Sequence, residues 1–410
     1  MTDPGFKHYR AAGTHRVVDP AETIARVRPM LPAMGITRIA NITGLDRIGL
    51  PVALAFRPNS RNLAVSQGKG LTLDAAKASA VMETIEHFHA ESIDGALASG
   101  SYDDLRGTLR LVDVDRLPRA KGDLFSPSLS MSWIEGRDWL TQQPVWVPFD
   151  IVSTDYRLPF PPGHGCFQST SNGLASGNHL LEAVSSGICE VVERDGLGLW
   201  HLSDPAARDD ARIRLETVDD VDCRAVIDRY RAAGVSVTVW DLTTDVGIPS
   251  FRCMIAEDTL DPLHVGYTAQ GMGAHPARGV ALLRALTEAA QSRLTYIAGS
   301  RDDVFRDMYT RLRDPERSRR RRRELRPGDG KRDFRTIPQF ESNTFDEDVR
   351  WELGRLRECA IDEVIVVMLT QAAFGIPVVK VIVPGLEGFV FDENYVAGER
   401  AQRVVGARAS

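Results

Sequence analysis

The chain has 410 residues, of which 43% are hydrophobic and 26% are charged, so it is long enough for a large buried core and for more than one lobe. Its net charge of −6 argues against general nucleic-acid binding, and its longest apolar runs are strand-sized rather than long enough to span a bilayer. The N-terminal stretch MTDPGFKHYRAAGTHR lacks the apolar segment of a signal peptide, which predicts a cytoplasmic protein. Five scattered cysteines without a CxxC pair argue against a disulfide framework or a zinc site.

The hydrophobic pattern predicts alternating helices and strands along the chain, which favours an α/β (α+β) architecture of repeated units. In the first part the expected elements are, in chain order, a helix over residues 20–34, strands over 38–42, 52–57 and 63–66, a turn at 68–70, an acidic helix capped by Thr72, and short strands and turns over 100–165. In the second part they are an acidic helix capped by Asn178, a helix over 218–233, strands over 235–240 and 250–256, a loop over 266–279, a helix over 280–296, a helix over 344–358 with a Thr344/Glu347 capping box, and strands over 364–369 and 378–383. The run RSRRRRR at residues 317–323 is interpreted as a solvated loop, with a docking patch for an acidic partner as the alternative.

The two acidic helices carry the same pattern of polar residues. Both read G-x8-S-x3-E-x2-E at a constant offset of 107 residues, with Gly70, Ser79, Glu83 and Glu86 in the first copy and Gly177, Ser186, Glu190 and Glu193 in the second. Residues at i, i+4 and i+7 share one face of a helix, so each copy presents Ser, Glu and Glu as a single strip. A third helix presents the related strip Arg284, Glu288 and Gln291 and is interpreted as a diverged third copy.

The paired glutamates predict a metal site. A single E-x2-E pair is most often a solvated helix face, but apolar residues such as Ala78, Ile85 and Val191 flank these pairs and indicate mostly buried helices. Buried carboxylates require a cation or hydrogen bonds. Oxygen ligands without Cys or His suit Mg²⁺, which is typically bound by one or two carboxylates together with substrate phosphates.

The residues next to the glutamates suit phosphate binding. Arg194 directly follows the second pair and is suited to bidentate phosphate recognition, with an ion pair to Asp195 or another acid as the alternative; the matching residue in the first copy is His87. The turn at Lys69 fails the Walker pattern, yet a helix N-terminus after a glycine turn can bind an anion. On the third helix the residues expected to line a polyphosphate are Arg284, Gln291 and Arg293.

Three ordered stretches, SQGKGLTLDAAKASAVMETIEHF, STSNGLASGNHLLEAVSSGICEVVERD and ALLRALTEAAQSR, resemble the YcaO family of ATP-dependent enzymes that activate peptide backbone amides. The segments ITRIANITGLDRIGLPVALAFRP and GIPVVKVIVPGLEG resemble the branch associated with TfuA proteins. The resemblance implies a YcaO-type fold of repeated strand–helix units around a central ATP cleft. The expected division is an N-terminal helix and strands (residues 1–60), a core with the three motifs (61–300), a basic mobile loop (301–343) and a C-terminal helix–strand segment (344–410).

The resemblance also implies roles for individual residues. The residues expected to hold Mg²⁺ are Glu83, Glu86, Glu190 and Glu193. Those expected to contact ATP are Arg16, Thr23, Lys69, Ser79, Ser186, Arg194, Arg284, Glu288, Gln291 and Arg293. His87 stands where the family usually has Arg, a departure that bears on the phosphate contact of the first helix and not on the metal site. No side chain is assigned as catalytic.

The implied reaction is transfer of the γ-phosphoryl group of ATP to a peptide amide oxygen, which turns that oxygen into a leaving group. Attack by a neighbouring Cys, Ser or Thr then gives an azoline, whereas attack by external sulfide gives a thioamide. Azoline-forming relatives often finish in P-x-P-x-P, and this chain finishes QRVVGARAS, which together with the TfuA-like segments favours thioamidation. An azoline-forming cyclodehydratase, a catalytically silent nucleotide-binding accessory protein, and a ligase or kinase of different fold stay open as alternatives. Expected partners are a substrate peptide or protein, a TfuA-like or leader-peptide-binding protein and a second copy of the chain in a homodimer, with no nucleic acid and no membrane.

Overall fold

The structure, a computed structural model, describes residues 3–11, 13–122, 124–257, 268–312, 314, 316, 325, 330–393 and 395–409. Its helices are α1 (Pro20–Val27), α2 (Leu73–Glu91), α3 (Tyr102–Leu105), α4 (Leu180–Leu202), α5 (Pro205–Asp210), α6 (Val221–Ala232), α7 (Arg278–Ala298), α8 (Arg306–Leu312), α9 (Phe345–Glu358) and α10 (Glu399–Ala409). Its strands are β1 (Tyr9–Ala11), β2 (Thr14–Arg16), β3 (Arg38–Asn41), β4 (Val52–Phe56), β5 (Val65–Lys69), β6 (Leu97–Gly100), β7 (Met131–Asp138), β8 (Pro144–Pro148), β9 (Leu174–Ser176), β10 (Val235–Asp241), β11 (Ser250–Glu257), β12 (Ala269–Ala274), β13 (Ile365–Met368) and β14 (Val378–Ile382).

The strands pair in open, antiparallel sheets. β1 and β2 form a hairpin, while β3-β4-β5 and β10-β11-β12 form two three-stranded sheets. The largest sheet has the order β6-β7-β13-β14-β9, with β8 paired to β7. Each of the last strands β5, β9 and β12 leads directly into one of the long helices α2, α4 and α7.

These three strand–helix pairs repeat one geometry, and we call them the first unit (β5–α2), the second unit (β9–α4) and the third unit (β12–α7). The helix begins four residues after the strand ends in all three, at Leu73 after Lys69, at Leu180 after Ser176 and at Arg278 after Ala274. Ser79, Ser186 and Arg284 therefore all stand ten residues beyond the end of their strand. The helix interpreted from the sequence as a diverged third copy is a structural repeat of the other two.

Strand glycines let the helices of these units lie directly against their sheets. A Cβ on Gly68 would come 2.1 Å from the carbonyl oxygen of Ala76, and a Cβ on Gly271 would come 2.3 Å from the backbone nitrogen of Ala289. Any side chain at these positions would force the helix away from the strand. Two sequence predictions are wrong here for this reason: Gly68 and Lys69 belong to β5 rather than to a turn, and β12 crosses the predicted loop over residues 266–279. Glycine is uncommon in strands, so the sequence favours turns and loops at both places.

The helix starts agree in part with the sequence. Thr72 caps α2 as predicted, accepting a hydrogen bond from the backbone N–H of Ala75 at 3.1 Å. The prediction that Asn178 caps α4 is wrong, because His179 accepts the bond from the first turn of that helix at 3.2 Å. The Asn178 side chain instead donates to Thr23 Oγ1 at 3.0 Å, a long-range contact that its position in the sequence does not reveal.

The sequence predicts the start of α9 correctly but overestimates the length of α1. The capping box of Thr344 and Glu347 at the start of α9 is present. In contrast, α1 ends at Val27 and is followed by a 3₁₀ turn over Arg28–Met30, so the predicted helix over residues 20–34 is too long. Pro29 lies in this turn and has no backbone N–H to continue an α-helix.

Buried apolar side chains form three large clusters. The first lies between α2 and the six-stranded sheet that contains β6, β7 and β13. The second lies between α6, α7 and the β10-β11-β12 sheet, and the third around α4, β14 and α9. The long helices of the three units are therefore covered by protein, as their flanking apolar residues predict. Among the described residues, no helix is both long and apolar enough to cross a membrane. The basic run at residues 317–323 lies outside the described residues, and the division of the chain at residues 60, 300 and 343 stays a prediction.

The N-terminal hairpin is tied to the start of α9. The Lys7 N–H donates to the carbonyl of Asn343 at 2.9 Å, and the Phe345 N–H donates to the carbonyl of Gly5 at 3.0 Å. The Lys7 ammonium also lies 2.5 Å from Asp348 Oδ2, with both side chains buried. These contacts hold β2 at the open side of the three units.

Candidate functional site

A cavity of about 420 Å³ lies between α2, α4, α7 and the N-terminal hairpin. Thirteen of the fourteen site residues predicted from the sequence line it, namely Arg16, Thr23, Lys69, Ser79, Glu83, Glu86, Ser186, Glu190, Glu193, Arg194, Arg284, Glu288 and Gln291. The helical strips of the three units thus face one common space. The roles of these residues in binding ATP and Mg²⁺ stay predictions.

The strand end of one unit contacts the helix of another. Lys69, at the end of β5, donates from Nζ to Glu288 Oε2 on α7 at 2.6 Å. Ser176, at the end of β9, donates from its backbone N and its Oγ to Glu86 Oε1 on α2, at 2.8 and 2.7 Å. Ser176 was not predicted as a site residue, although it occupies the position in the second unit that Lys69 occupies in the first.

Arg194 on α4 makes the third contact of this kind. It donates from Nη1 to the sulfur of Met272 in β12, with an Nη1–Sδ distance of 3.6 Å. The first strand therefore contacts the third helix, the second strand the first helix, and the third strand the second helix, which closes a ring around the cavity. Arg194 also pairs with Glu193 at 2.9 Å and with Glu190 at 3.6 Å on its own helix.

The surroundings of the acidic side chains favour their neutral form. Burial raises the pKa of Glu86 to about 8, even though hydrogen bonds from Ser176 act in the opposite direction. Burial likewise raises the pKa of Glu83 to about 7 and that of Glu193 to about 7, and it raises the pKa of Glu190. Buried carboxylates of this kind are stabilised by a divalent cation among them.

Glu288 differs from these four glutamates. Burial alone would raise its pKa, but the charges of Lys69 and Arg194 outweigh burial and lower it. Its two oxygens are also occupied, one by Lys69 and the other by the backbone N–H of Met272 at 3.2 Å. This geometry suits Glu288 to holding Lys69 in place rather than to binding a cation of its own.

The N-terminal wall of the cavity is formed by Arg16 and Thr23. Arg16 Nε lies 3.6 Å from Glu182 Oε1, and Glu182 is almost fully buried. Thr23 Oγ1 accepts the hydrogen bond from Asn178 already described. Glu182 and Asn178 were not predicted as site residues; Glu182 lies outside the repeated pattern, where the first unit has Ala75 at the corresponding position.

His87 brings no positive charge to the first unit. Its side chain is buried, and burial lowers its pKa to about 4, although Glu91 acts in the opposite direction. The His87 ring nitrogen Nδ1 lies 3.3 Å from the side-chain nitrogen of Asn62. The histidine is therefore neutral at physiological pH, unlike an arginine at the same position.

Two further cations influence the acidic residues. Arg301 lowers the pKa of Glu83 against the effect of burial. Lys380 on β14 is buried and donates to the carbonyl of Thr170 at 2.5 Å, and burial lowers its pKa to about 8, against the opposing charge of Glu190. The sequence signal for Lys380 is a single lysine inside an otherwise apolar strand, in the segment GIPVVKVIVPGLEG.

Arg293 is the predicted site residue that does not line the cavity. Its Nε lies 3.3 Å from Asp46 Oδ2 and its Nη2 lies 2.5 Å from Glu257 Oε1, with the Arg293 side chain buried. Two residues after Gln291, it points to the other side of α7, because consecutive helical positions are about 100° apart. The prediction that Arg293 contacts ATP is corrected to a role in a buried ion-pair cluster behind the helix.

The donor set fits Mg²⁺ bound together with phosphates. The glutamates offer carboxylate oxygens, and within the described part of the chain no three acidic, histidine or cysteine side chains stand close enough to hold a metal ion by themselves. Mg²⁺ usually takes only one or two protein carboxylates and completes its shell with phosphate and water oxygens. Arg16, Arg194 and Arg284 supply positive charge on the walls of the same cavity.

Known proteins share this sequence and this fold. The sequence model of the family described as YcaO cyclodehydratase, ATP- and Mg²⁺-binding, matches residues 67–387. A protein of Rhizobium leguminosarum bv. trifolii, described as uncharacterized and in the tfuA 3′ region, is 38% identical over 394 residues, which cover 95% of this chain and 93% of that protein.

Two solved structures resemble the fold closely. YcaO from Methanopyrus kandleri, bound with AMPPCP and Mg²⁺, has a TM-score of 0.75 at 23% identity over 96% of this chain and 98% of that one. A heterocyclase in complex with substrate and cofactor has a TM-score of 0.78 at 23% identity over 94% of this chain. This chain spans 54% of the heterocyclase, about half of its length.

These likenesses confirm the predicted mixed α/β fold and the predicted cofactors ATP and Mg²⁺, which the family description names. The family's sequence model covers well over half of the chain, and a relative at 38% identity matches almost all of it. The chain belongs to the YcaO family.

Proposed function

We propose that this protein uses ATP and Mg²⁺ to activate a peptide backbone amide and that the activated amide is converted into a thioamide. The main support is the meeting of four glutamates from two helices, Glu193 buried and the other three half-buried, in one cavity that also holds Arg194 and Lys69. Carboxylates that are removed from water and grouped together destabilise the fold when ionised, and bound Mg²⁺ would offset that cost.

The proposed roles follow from the surroundings of each residue. Glu83, Glu86, Glu190 and Glu193 would hold Mg²⁺, which neutralises charge on the ATP phosphates when it is bound. Arg194 is suited to bind phosphate oxygens through two parallel N–H groups. Arg16 and Thr23 form the N-terminal wall, next to the start of α4, and would contact the rest of the nucleotide.

In the proposed reaction, the oxygen of a peptide amide attacks the γ-phosphorus of ATP, and ADP leaves. Sulfide then attacks the carbon of the activated amide, and the amide oxygen departs as part of inorganic phosphate. Arg194 and Arg284 would stabilise the negative charge on the transferring group. An amide oxygen is a poor leaving group by itself, which is the chemical reason for spending ATP.

The tfuA 3′ region of the Rhizobium relative supports the thioamide product over an azoline. We propose that a TfuA-like protein acts with this chain, either delivering the peptide or supplying the sulfur. A homodimer is proposed as the working form, on the basis of the branch resemblance.

The test is a reconstituted reaction with Mg²⁺, ATP, sulfide, a TfuA-like partner and a candidate peptide, followed by mass spectrometry. A thioamide gains about 16 mass units, an azoline loses about 18, and a stably phosphorylated peptide gains about 80. We expect the first result together with release of ADP and phosphate. Azoline formation would replace the proposed product while keeping amide activation, and nucleotide binding without any ATP turnover would favour an accessory protein instead.

A further inference from the structure

After β14 the chain returns across the outside of α4. We call residues 386–393 and 395–401 the C-terminal strap. The Glu387 N–H donates to Asp195 Oδ1 at 3.1 Å, and Arg400 donates from Nε and Nη2 to the two oxygens of Asp195, at 3.0 Å each. Asp195 is completely buried and directly follows Arg194. The strap is therefore fastened to α4 one residue away from the arginine that lines the cavity.

The strap is also fixed within itself. The buried Glu387 carboxylate accepts hydrogen bonds from Tyr395 Oη at 2.8 Å, from the Gly398 N–H at 2.9 Å and from the Ala401 N–H at 2.8 Å. One carboxylate thus accepts hydrogen bonds from three residues of the strap, which fixes the conformation of this segment beside α4.

Phe389 is the residue of the strap that reaches Arg194. The Arg194 Cζ lies 5.3 Å from the centre of the Phe389 ring. The buried Gln168 holds the Phe389 backbone at both polar atoms, accepting from its N–H at 2.7 Å and donating to its carbonyl at 3.0 Å. These two hydrogen bonds fix the backbone from which the ring projects, and the ring itself contacts Phe391 at a centroid distance of 5.8 Å.

The planar shape of the guanidinium determines where its hydrogen-bond donors point. All of its N–H donors lie in one plane, and an aromatic ring in contact with the group limits the directions in which those donors can point. Arg194 has competing partners for these donors, since Glu193 lies 2.9 Å away and Glu190 lies 3.6 Å away. Met272 Sδ takes a further N–H of Arg194, so phosphate binding requires these donors to change partners while the guanidinium stays at the cavity.

We propose that Phe389 is a positioning residue that keeps the Arg194 guanidinium at the cavity while its N–H donors change from these partners to nucleotide phosphates. This inference rests on the proposed function, because it assumes that Arg194 contacts ATP. It gives the C-terminal strap a part in nucleotide binding that acts through the contact between Phe389 and Arg194.

The test is the affinity for AMPPCP with Mg²⁺, measured by calorimetry below the unfolding temperature of every variant. Phe389→Leu should bind about five- to tenfold more weakly, the size expected for loss of a partly desolvated cation–π contact. Phe389→Tyr should keep the affinity of the unaltered protein, because the tyrosine ring can make the same cation–π contact. Phe125→Leu is the matched control: it removes a cation–π contact between Phe125 and Arg119, two residues that do not line the cavity, and should leave the affinity unchanged.

A second measurement separates positioning from general packing. In an Arg194→Gln background, Phe389→Leu should cause no further loss of affinity, because the residue through which it acts is gone. Wild-type affinity in Phe389→Leu, an equal loss in Phe125→Leu, or an undiminished loss in the Arg194→Gln background would each overturn the inference. Phe389→Met provides the same comparison should the Leu variant not fold. Failure of the unaltered protein to bind AMPPCP with Mg²⁺ would instead overturn the proposed function.

Discussion

The first and second units present the same acidic strip and neutralise it in different ways. In the second unit Arg194 stands on the same helix as its acids and pairs with Glu193 at 2.9 Å. In the first unit the equivalent residue is the neutral His87, and Glu86 is held by Ser176 from the neighbouring unit. The repeat of strand and helix thus fixes where the carboxylates stand, while the charge beside them differs. We therefore expect equal roles for the two units in metal binding and unequal roles in phosphate binding.

The largest loss of ATP turnover should follow from changing the glutamates that the two units share. Glu83 and Glu190 occupy the same register, so Glu83→Gln and Glu190→Gln should each lower ATP turnover by roughly two orders of magnitude or more. Folding should be retained, because the amide removes a buried charge and keeps the shape of the side chain. Phosphate release and the thermal midpoint without Mg²⁺ are the measurements, with Asp74→Asn on the exposed first turn of α2 as the control.

Full turnover in both glutamine variants would remove the metal assignment. Loss in only one of them would show that the two units are unequal in metal binding too.

The next largest effect should be on the KM for ATP, at the position where the second unit has arginine and the first unit has histidine. Arg194→Gln should raise the KM for ATP about 30-fold, since a charge-assisted hydrogen bond to a phosphate is lost. His87→Gln, the same change at the equivalent position, should alter the KM by less than about threefold, because His87 carries no charge to lose. Steady-state kinetics on this matched pair decide the point, and equal losses in the two variants would contradict it.

The affinity for Mg²⁺ should fall as the pH is lowered from 8 to 6. Metal binding requires ionised carboxylates, whereas the pKa of Glu86 is raised to about 8 and those of Glu83 and Glu193 to about 7, so protons must be displaced at neutral pH. We expect a decrease of roughly tenfold or more over this range. In the metal-free protein the same shifts favour the folded state, fully below the ordinary glutamate pKa of 4.5, and this contribution falls progressively until the pH passes about 7 to 8.

Calorimetric titration of Mg²⁺ with AMPPCP at pH 6, 7 and 8 measures this dependence. Glu86→Gln, which removes the carboxyl with the highest pKa of the three, should flatten it. A flat profile in the unaltered protein would mean that the carboxylates are already ionised.

The smallest effect on nucleotide binding should come from Arg293, behind the third unit. Arg293→Met breaks buried ion pairs with Asp46 and Glu257 and should lower the free energy of unfolding by about 3–5 kcal/mol. AMPPCP affinity at low temperature should stay unchanged. Arg284→Met, on the cavity face of the same helix, should show the opposite result, with weaker binding and little loss of stability. Chemical denaturation and calorimetry on this pair check the correction of Arg293.

The polar strips could be predicted from the sequence because helical periodicity places residues i, i+4 and i+7 together in any tertiary fold. The same argument places Arg284, Glu288 and Gln291 in the cavity and, followed strictly, excludes Arg293. Contacts between units could not be predicted in this way. Ser176 and Glu86 are 90 residues apart, and their hydrogen bond depends on how the second strand packs beside the first helix.

Strand β12 could not be predicted from local propensity, because its glycines are typical of a loop. Their presence in the strand has a tertiary cause: Gly271 and Gly273 leave room for the backbone of α7, where a Cβ on Gly273 would come 2.3 Å from the carbonyl oxygen of Ala281. The cap at His179 has a similar cause, since the amide of Asn178 is used by Thr23 on another helix. Local sequence patterns therefore mispredict β12 and the cap of α4, because these residues make contacts with segments distant in the sequence.

The contact between the N-terminal hairpin and α9 has a consequence for synthesis of the protein. Lys7 Nζ donates to Ser342 Oγ at 3.0 Å, across 335 residues of chain. At about 5–20 residues per second, a ribosome takes roughly 20 to 70 s to make the intervening stretch. All three strand–helix units emerge before this interval ends, while the wall that bears Arg16 still lacks its anchor. Newly made protein should therefore acquire affinity for ATP in one late step, and cellular ATP should stabilise completed chains in preference to truncated ones.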